Sequence, residues 1–264
     1  MVKNKLIFLF FISFFTTENF AQEKLSAKEI FEKSIEVTRP AGTEAISQMT
    51  IFDEKGRTRE RRLYQLSKLT NNGNTEKKLI RFLSPADVKG TGFLTYDYKI
   101  KDDDKWLYMP ALRKTRRIIS SENAKSFMGS EFSYADMTPL KVDDFKFTNL
   151  GIENIKGVQC YKIEILPLDD EIADENGFTK KISFFDIKYH VLRKAVYYDL
   201  EGSLHKELMI LKVTEVDPVN HKFRFSHMEM INVQNKRKSI LTVDKIKLLP
   251  KVKDSYFTTR YLEK

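Results

Sequence analysis

Period-two alternation of apolar and polar residues, interrupted by tight turns, runs through most of this chain and restricts it to antiparallel β folds. "AISQMTIFD" (45–53), the turn "EKGR", "TRERRLYQL" (58–66), the turn "NNGN" and "KKLIRFL" (77–83) form one such series. The pattern resumes in "VQCYKIEIL" (158–166), "KISFFDIKY" (181–189), "VLRKAVYYD" (191–199), "HKELMILKV" (205–213), "FRFSHMEMINV" (223–233) and "KSILTVDKI" (238–246). Turn-forming Gly157, Gly202, Pro218 and Asn235 stand between them. One helix is predicted before the strands over 26–38, where Ser26 and Glu29 have capping-box spacing. The reading is mainly β (α+β): about ten strands in a single antiparallel sheet, which at that size curls into a barrel or splits into a sandwich. No repeat of propeller length is present.

Several strands are apolar on both faces. In "HKELMILKV", Leu208 and Ile210 oppose Met209, Leu211 and Val213; in "KISFFDIKY", Ile182 and Phe184 oppose Phe185, Ile187 and Tyr189. A sheet with one face in water would alternate more cleanly. Two arrangements satisfy the pattern: a packed core with helices and loops over the outer face, or an inner face lining an apolar cavity.

The N-terminus predicts the compartment. "MVKNK", the run "LIFLFFISFF" and "NFAQ" form the three parts of a secretory signal peptide with cleavage after Ala21, so 1–21 is read as the leader and 22–264 as one domain. The apolar run is well short of the roughly twenty residues of a membrane span. Gln22 follows the cleavage point, where a lipid anchor would need Cys, so a periplasmic protein without an anchor is expected. The one cysteine, Cys160, cannot form an internal disulfide. Removing Lys3, Lys5 and Glu18 with the leader leaves a net charge of +8, suited to anionic headgroups or an acidic protein surface. Nucleic acid is not expected as a partner, because an exported protein seldom meets it.

Sites that would carry chemistry are weakly represented. His221 and His227 are too far apart for a compelling zinc pair, so no metal is expected. "DDEIADENG" (169–177) lacks the calcium-loop spacing and is read as a solvated hairpin loop. "KGTGFL" (89–94) leads into a strand and is no dinucleotide fingerprint; Gly90 and Gly92 are read as residues with unusual backbone angles. Ser130 lies outside any G-x-S-x-G elbow, which argues against a hydrolase. No catalytic residue and no cofactor are assigned.

The segment 105–137, "KWLYMPALRKTRRIISSENAKSFMGSEFSYADM", is the most unusual. Trp106 and Tyr108 share one strand face, and Leu107 and Met109 the other. Arg113, Lys114, Arg116 and Arg117 must reach water, an anionic partner or carboxylates, for which Asp136, Asp143 and Asp144 are candidates. Phe127, Met128, Phe132, Tyr134 and Met137 crowd an aperiodic stretch, which is expected to insert into something.

The run "GTGFLTYDY", "DDKWLYMPALRKTRRI" and "SFMGSEFSYADM" resembles the LolA-like family of outer-membrane lipoprotein-sorting proteins, in the branch often found beside resistance-nodulation-division (RND) type exporters. Trp106, Tyr108, Pro110, Arg113, Arg116, Arg117, Phe127, Gly129, Ser130, Phe132, Tyr134 and Asp136 carry the match. The resemblance implies a single curved antiparallel sheet forming an incomplete LolA/LolB-like β-barrel, with a helical and loop cover over an apolar cavity. It further implies a carrier for acyl chains of lipoproteins or lipids, not an enzyme. Trp106, Tyr108, Met109, Phe127, Met128, Phe132 and Tyr134 are the expected ligand contacts. Arg113, Lys114, Arg116 and Arg117 are the expected headgroup or partner contacts, the partner being an RND-type exporter or other inner-membrane protein. A monomer is expected. The competing reading is a periplasmic accessory or sensor that binds an envelope protein without carrying lipid.

Overall fold

The computed structural model describes residues 25–264, so the leader read over 1–21 lies outside the described residues. Helix α1 (Ala27–Val37) opens the fold. Its capping box forms as expected: the Glu29 amide donates to Ser26 Oγ at 3.2 Å, and the Ser26 amide donates to Glu29 Oε2 at 2.7 Å.

Strands β1 (Gly42–Phe52), β2 (Thr58–Thr70), β3 (Thr75–Ser84), β4 (Gly92–Tyr98), β5 (Asp104–Met109) and β6 (Lys114–Arg117) follow as an antiparallel meander. After the connection 118–144 come β7 (Phe145–Ile155), β8 (Val158–Pro167), helix α2 (Asp170–Asn176), β9 (Lys180–Asp186), β10 (Leu192–Tyr198), β11 (Leu204–Asp217), β12 (Lys222–Asn232) and β13 (Arg237–Leu248). A last short helix, α3 (Thr259–Leu262), ends the chain. All strands join one 13-stranded sheet in the order β6-β5-β4-β3-β2-β1-β13-β12-β11-β10-β9-β8-β7. The chain therefore begins at the sheet's centre, runs out to one edge, crosses by 118–144 to the other edge, and returns to pair β13 with β1.

A sheet of this size must curl. Its curvature is visible in Arg224 of β12, which donates to Ser67 Oγ on β2 at 3.1 Å although β13 and β1 lie between them in the sheet. β6 and β7 do not pair, so the barrel is incomplete. Both edges carry features that discourage pairing with other strands: β6 is four residues of "KTRR", and β7 is bulged between Asn149 and Ile152. Neither edge strand buries a continuous face.

The two-faced apolar strands acquire a cause here. The concave face holds the main core, including Met49, Leu63, Phe82, Phe93, Ile163, Phe185 and Met230. On the convex face, the C-terminal segment lays Val252, Phe257 and Leu262 over Leu66, Leu79 and Leu94. A smaller convex cluster joins Cys160, Ile182 and Phe184.

Two local readings are corrected. Residues 169–177 do not form a hairpin loop: Asp169 accepts the Ile172 amide at 2.9 Å as an N-cap, and Gly177 at φ +71° ends helix α2. Gly90 does take a positive φ of +81°, but Gly92 does not; it is needed because a Cβ there would meet Leu262 Cδ1 at 2.5 Å.

Candidate functional site

Inward residues of the concave face, α1 and the connection 118–144 line a partly open cavity of about 310 Å³. The strand period sets its wall: Met49 of β1, Leu63 of β2, Ile80 of β3, Phe185 of β9, Leu208 of β11, Met228 and Met230 of β12, and Leu241 of β13 all point inward. Phe31 and Ile35 of α1 close one side, and Phe127, Phe132 and Leu140 of the connection another. α1 is anchored by Phe31, whose ring lies 4.9 Å from Phe147 and 6.0 Å from Phe185.

The connection is inserted into the barrel, as its composition predicts, and it is tightly held. Phe127 packs edge-on to Phe93 at 5.2 Å and to Tyr134 at 5.7 Å. Met128 and Gly129 take positive φ of 54° and 76°, which turns the chain at the tip. The carbonyl of Met128 accepts from Arg61, and that of Gly129 from Arg237 at 3.1 Å. Glu131, buried, pairs with Arg237 Nε at 3.0 Å and accepts from Asn232 Nδ2 at 3.1 Å; its amide donates to Ser239 Oγ at 2.9 Å. Lys78 on β3 donates to the Met137 carbonyl at 3.2 Å, and Tyr197 on β10 donates to Asp136 at 3.1 Å, so the connection is tied to both walls.

Charged groups line part of this otherwise apolar space. Arg224 pairs with Glu76, and although burial pushes the Glu76 carboxyl up, the charges of Arg224 and Lys78 outweigh it and hold it at about 2. Burial depresses Lys78, with Glu76 working against it. Arg39 pairs with Asp97, which Lys141 also contacts at 3.2 Å. Burial raises Tyr197 well above the phenol range, helped by Asp136. Burial depresses Lys181, opposed by the charge of Asp136. Glu76 is thereby a very weak base, and Asp136 already accepts from Tyr197 and Ser133. No histidine lines the cavity among the described residues.

The residues singled out in 105–137 divide among three places. Phe127 and Phe132 line the cavity, while Tyr134 is buried behind them against Phe93. Met109 and Met128 pack on the concave core without lining the cavity. Trp106 and Tyr108 lie on the convex face in the cluster under the C-terminal segment, on the opposite side of the sheet from the cavity. Of the basic run, Arg116 pairs with Glu122 at 2.7 Å and Arg117 with Asp104 at 2.5 Å. None of the three carboxylates expected as partners pairs with the run: Asp136 is engaged with Ser133 and Tyr197, Asp143 with Lys28 at 2.8 Å, and Asp144 forms no ion pair among the described residues. Arg113 and Lys114 are exposed and have no carboxylate partner among the described residues. Lys78, Lys181, Ser183 and Arg224 were not singled out in the sequence. The available signal was a charge on the inward parity of a strand, as in Lys181, Ser183 and Phe185.

A family model described as an uncharacterized-protein family matches residues 74–264. No curated protein matches the chain. A solved domain classed with outer-membrane lipoprotein-sorting proteins, from Vibrio parahaemolyticus, is 26% identical with a TM-score of 0.81, over 90% of this chain and 98% of that one. A DUF1329 family protein from Desulfovibrio piger is likewise 26% identical with a TM-score of 0.81, over 89% and 97%. A LolA superfamily protein from Nitrosomonas europaea shares the fold at 20% identity and a TM-score of 0.67, over 90% and 100%. With an unclosed 13-stranded sheet, an inserted connection and these likenesses, the chain belongs to a LolA-like family.

Proposed function

We propose that the protein is a periplasmic carrier that shelters acyl chains of lipoproteins or lipids in its cavity and passes them toward the outer membrane. The observation that carries this reading is the cavity of about 310 Å³, walled largely by Leu, Ile, Met and Phe side chains and flanked by α1 and the connection. Its volume is at the lower end of the roughly 300–1,000 Å³ of ligand sites, enough for one narrow chain. Each methylene moved from water into such a wall gains about 0.8 kcal/mol, so a long chain can offset the opening of a cover. The lipoprotein-sorting classification of the Vibrio relative supports the same class of cargo.

α1 is the natural moving cover. Outside its apolar face it is held by exposed ion pairs, Lys28 with Asp143 at 2.8 Å and Lys222 with Glu36 at 3.3 Å, whereas the connection is bonded to both walls. Such exposed pairs contribute little and break readily. Arg113 and Lys114, exposed on or beside an edge strand, are the proposed contacts for anionic headgroups or for an inner-membrane partner such as an exporter.

Native mass spectrometry of protein purified from its own cell envelope tests the reading. Copurified acyl species, and saturable uptake of a fluorescent fatty acid, are the expected results. A ligand-free protein that also fails to take up the fatty acid would leave the cavity without a cargo and overturn it.

A further inference from the structure

We propose that Lys181 and Ser183 form a subsite in the cavity for the oxyanion of a long-chain acid, so that the cargo is a free acidic amphiphile held by its head at β9. This rests on the carrier reading and narrows its cargo: an acyl group attached to a protein has its polar end tethered outside and no charge to present to an ammonium.

Lys181, Ser183 and Phe185 share the inward face of β9, and all three line the cavity. The Lys181 ammonium has no hydrogen bond and no carboxylate within 4.0 Å among the described residues. Its neighbours are aromatic, the Tyr197 ring at 4.5 Å and the Phe178 ring at 6.0 Å. A ring face attracts the cation but leaves its charge unneutralised. The nearest acid, Asp136, already accepts from the Ser133 amide at 2.8 Å, Ser133 Oγ at 2.9 Å and Tyr197 Oη at 3.1 Å. The other cations lining the cavity differ: Arg224 and Arg39 have carboxylate partners, and Lys78 donates to a carbonyl.

Ser183 adds a second, independent observation. It is 1% exposed, and its hydroxyl has no hydrogen-bond partner. The buried hydroxyl without a partner is unfavourable, the half-buried ammonium two residues away is unneutralised, and one acceptor anion serves both. Residues i and i+2 of a strand stand roughly 7 Å apart on one face. A carboxylate or phosphate seated between them can accept from the hydroxyl and from the long lysine side chain, with charge-assisted bonds to the latter. Behind that position the wall is apolar, with Phe185, Leu192 and Leu208 available to the chain.

The test is a titration of the purified mature protein with hexadecanoic acid, hexadecyl phosphate and hexadecanol, at a pH where both acids are ionised. The expected result is that at least one acid binds about tenfold or more tightly than the alcohol. Lys181→Met should bring the acids down to the alcohol's affinity, Lys181→Arg should retain the preference, and Ser183→Ala should weaken it a few-fold. Whichever of the two acids binds tighter assigns the headgroup as carboxylate or phosphate. Equal binding of acids and alcohol by the unmodified protein would overturn the subsite while leaving the carrier reading standing, and this comparison needs no variant to fold. A preference that survives in Lys181→Met would also overturn it. Failure of all three probes to bind would remove the carrier reading and the subsite with it.

Discussion

Glu76 is 3% exposed beside Arg224 and Lys78, and its carboxyl sits at about 2 against an ordinary 4.5. The folded state therefore binds its proton more weakly than the unfolded state. This stabilisation is fully present above about pH 4.5 and is lost as the pH falls toward 2. A shift of that size is worth roughly 3 kcal/mol. Urea unfolding followed down through this window should show a falling midpoint, and Glu76→Gln should flatten that fall while lowering stability at neutral pH, since it leaves the half-buried Arg224 beside a neutral group. An unchanged acid profile in Glu76→Gln would refute the assignment. Cys160, 0% exposed, has its thiol pushed up to about 11 by burial, with the Asp186 charge adding to the effect. It should resist a thiol reagent in the native protein and react at once in denaturant.

Packing of the C-terminal segment against β2, β3, β4 and β5 is the element that the periodic reading missed. The apolar convex parity of those strands was legible, with Trp106 and Tyr108 on one face and Leu107 and Met109 on the other. What covers Trp106 was not, because residues 250–264 have no regular period and were assigned no role. Trp106 and Tyr108 stand among the expected ligand contacts as part of a strand with two apolar faces, but parity on β5 directs them away from the cavity. Gly92 carried the hidden signal, since it accommodates Leu262 and not an unusual turn. Phe257→Ala should cost about 3–5 kcal/mol, the usual penalty for emptying a fully buried phenylalanine site. Trp106, the chain's one tryptophan, should shift its emission to the red as the segment loosens. Gly92→Ala should act in the same direction, by pushing Leu262 out of its seat. An unshifted emission in both variants would show that the segment does not depend on these contacts.

At the scale of the whole molecule, one curved sheet separates two apolar compartments, the concave one with a cavity and the convex one filled by the C-terminal segment. The antiparallel meander and its curling were readable from strand periodicity and number. The strand order was not, because the β1–β13 pairing that joins the two meanders leaves no local trace in either segment. This division makes a ligand's effect separable from damage to the fold. A chain bound at a hundred times its dissociation constant should stabilise the protein by about 2.7 kcal/mol, raising the melting temperature by several degrees. Because Trp106 packs on the convex side against Tyr96 at 5.2 Å, its emission should stay unchanged throughout that titration. Thermal melts and emission spectra recorded on the same ligand series decide the matter. Stabilisation with constant emission places the chain in the concave cavity, whereas a Trp106 shift that tracks saturation would move the binding site to the convex face and displace the cavity from the proposed function.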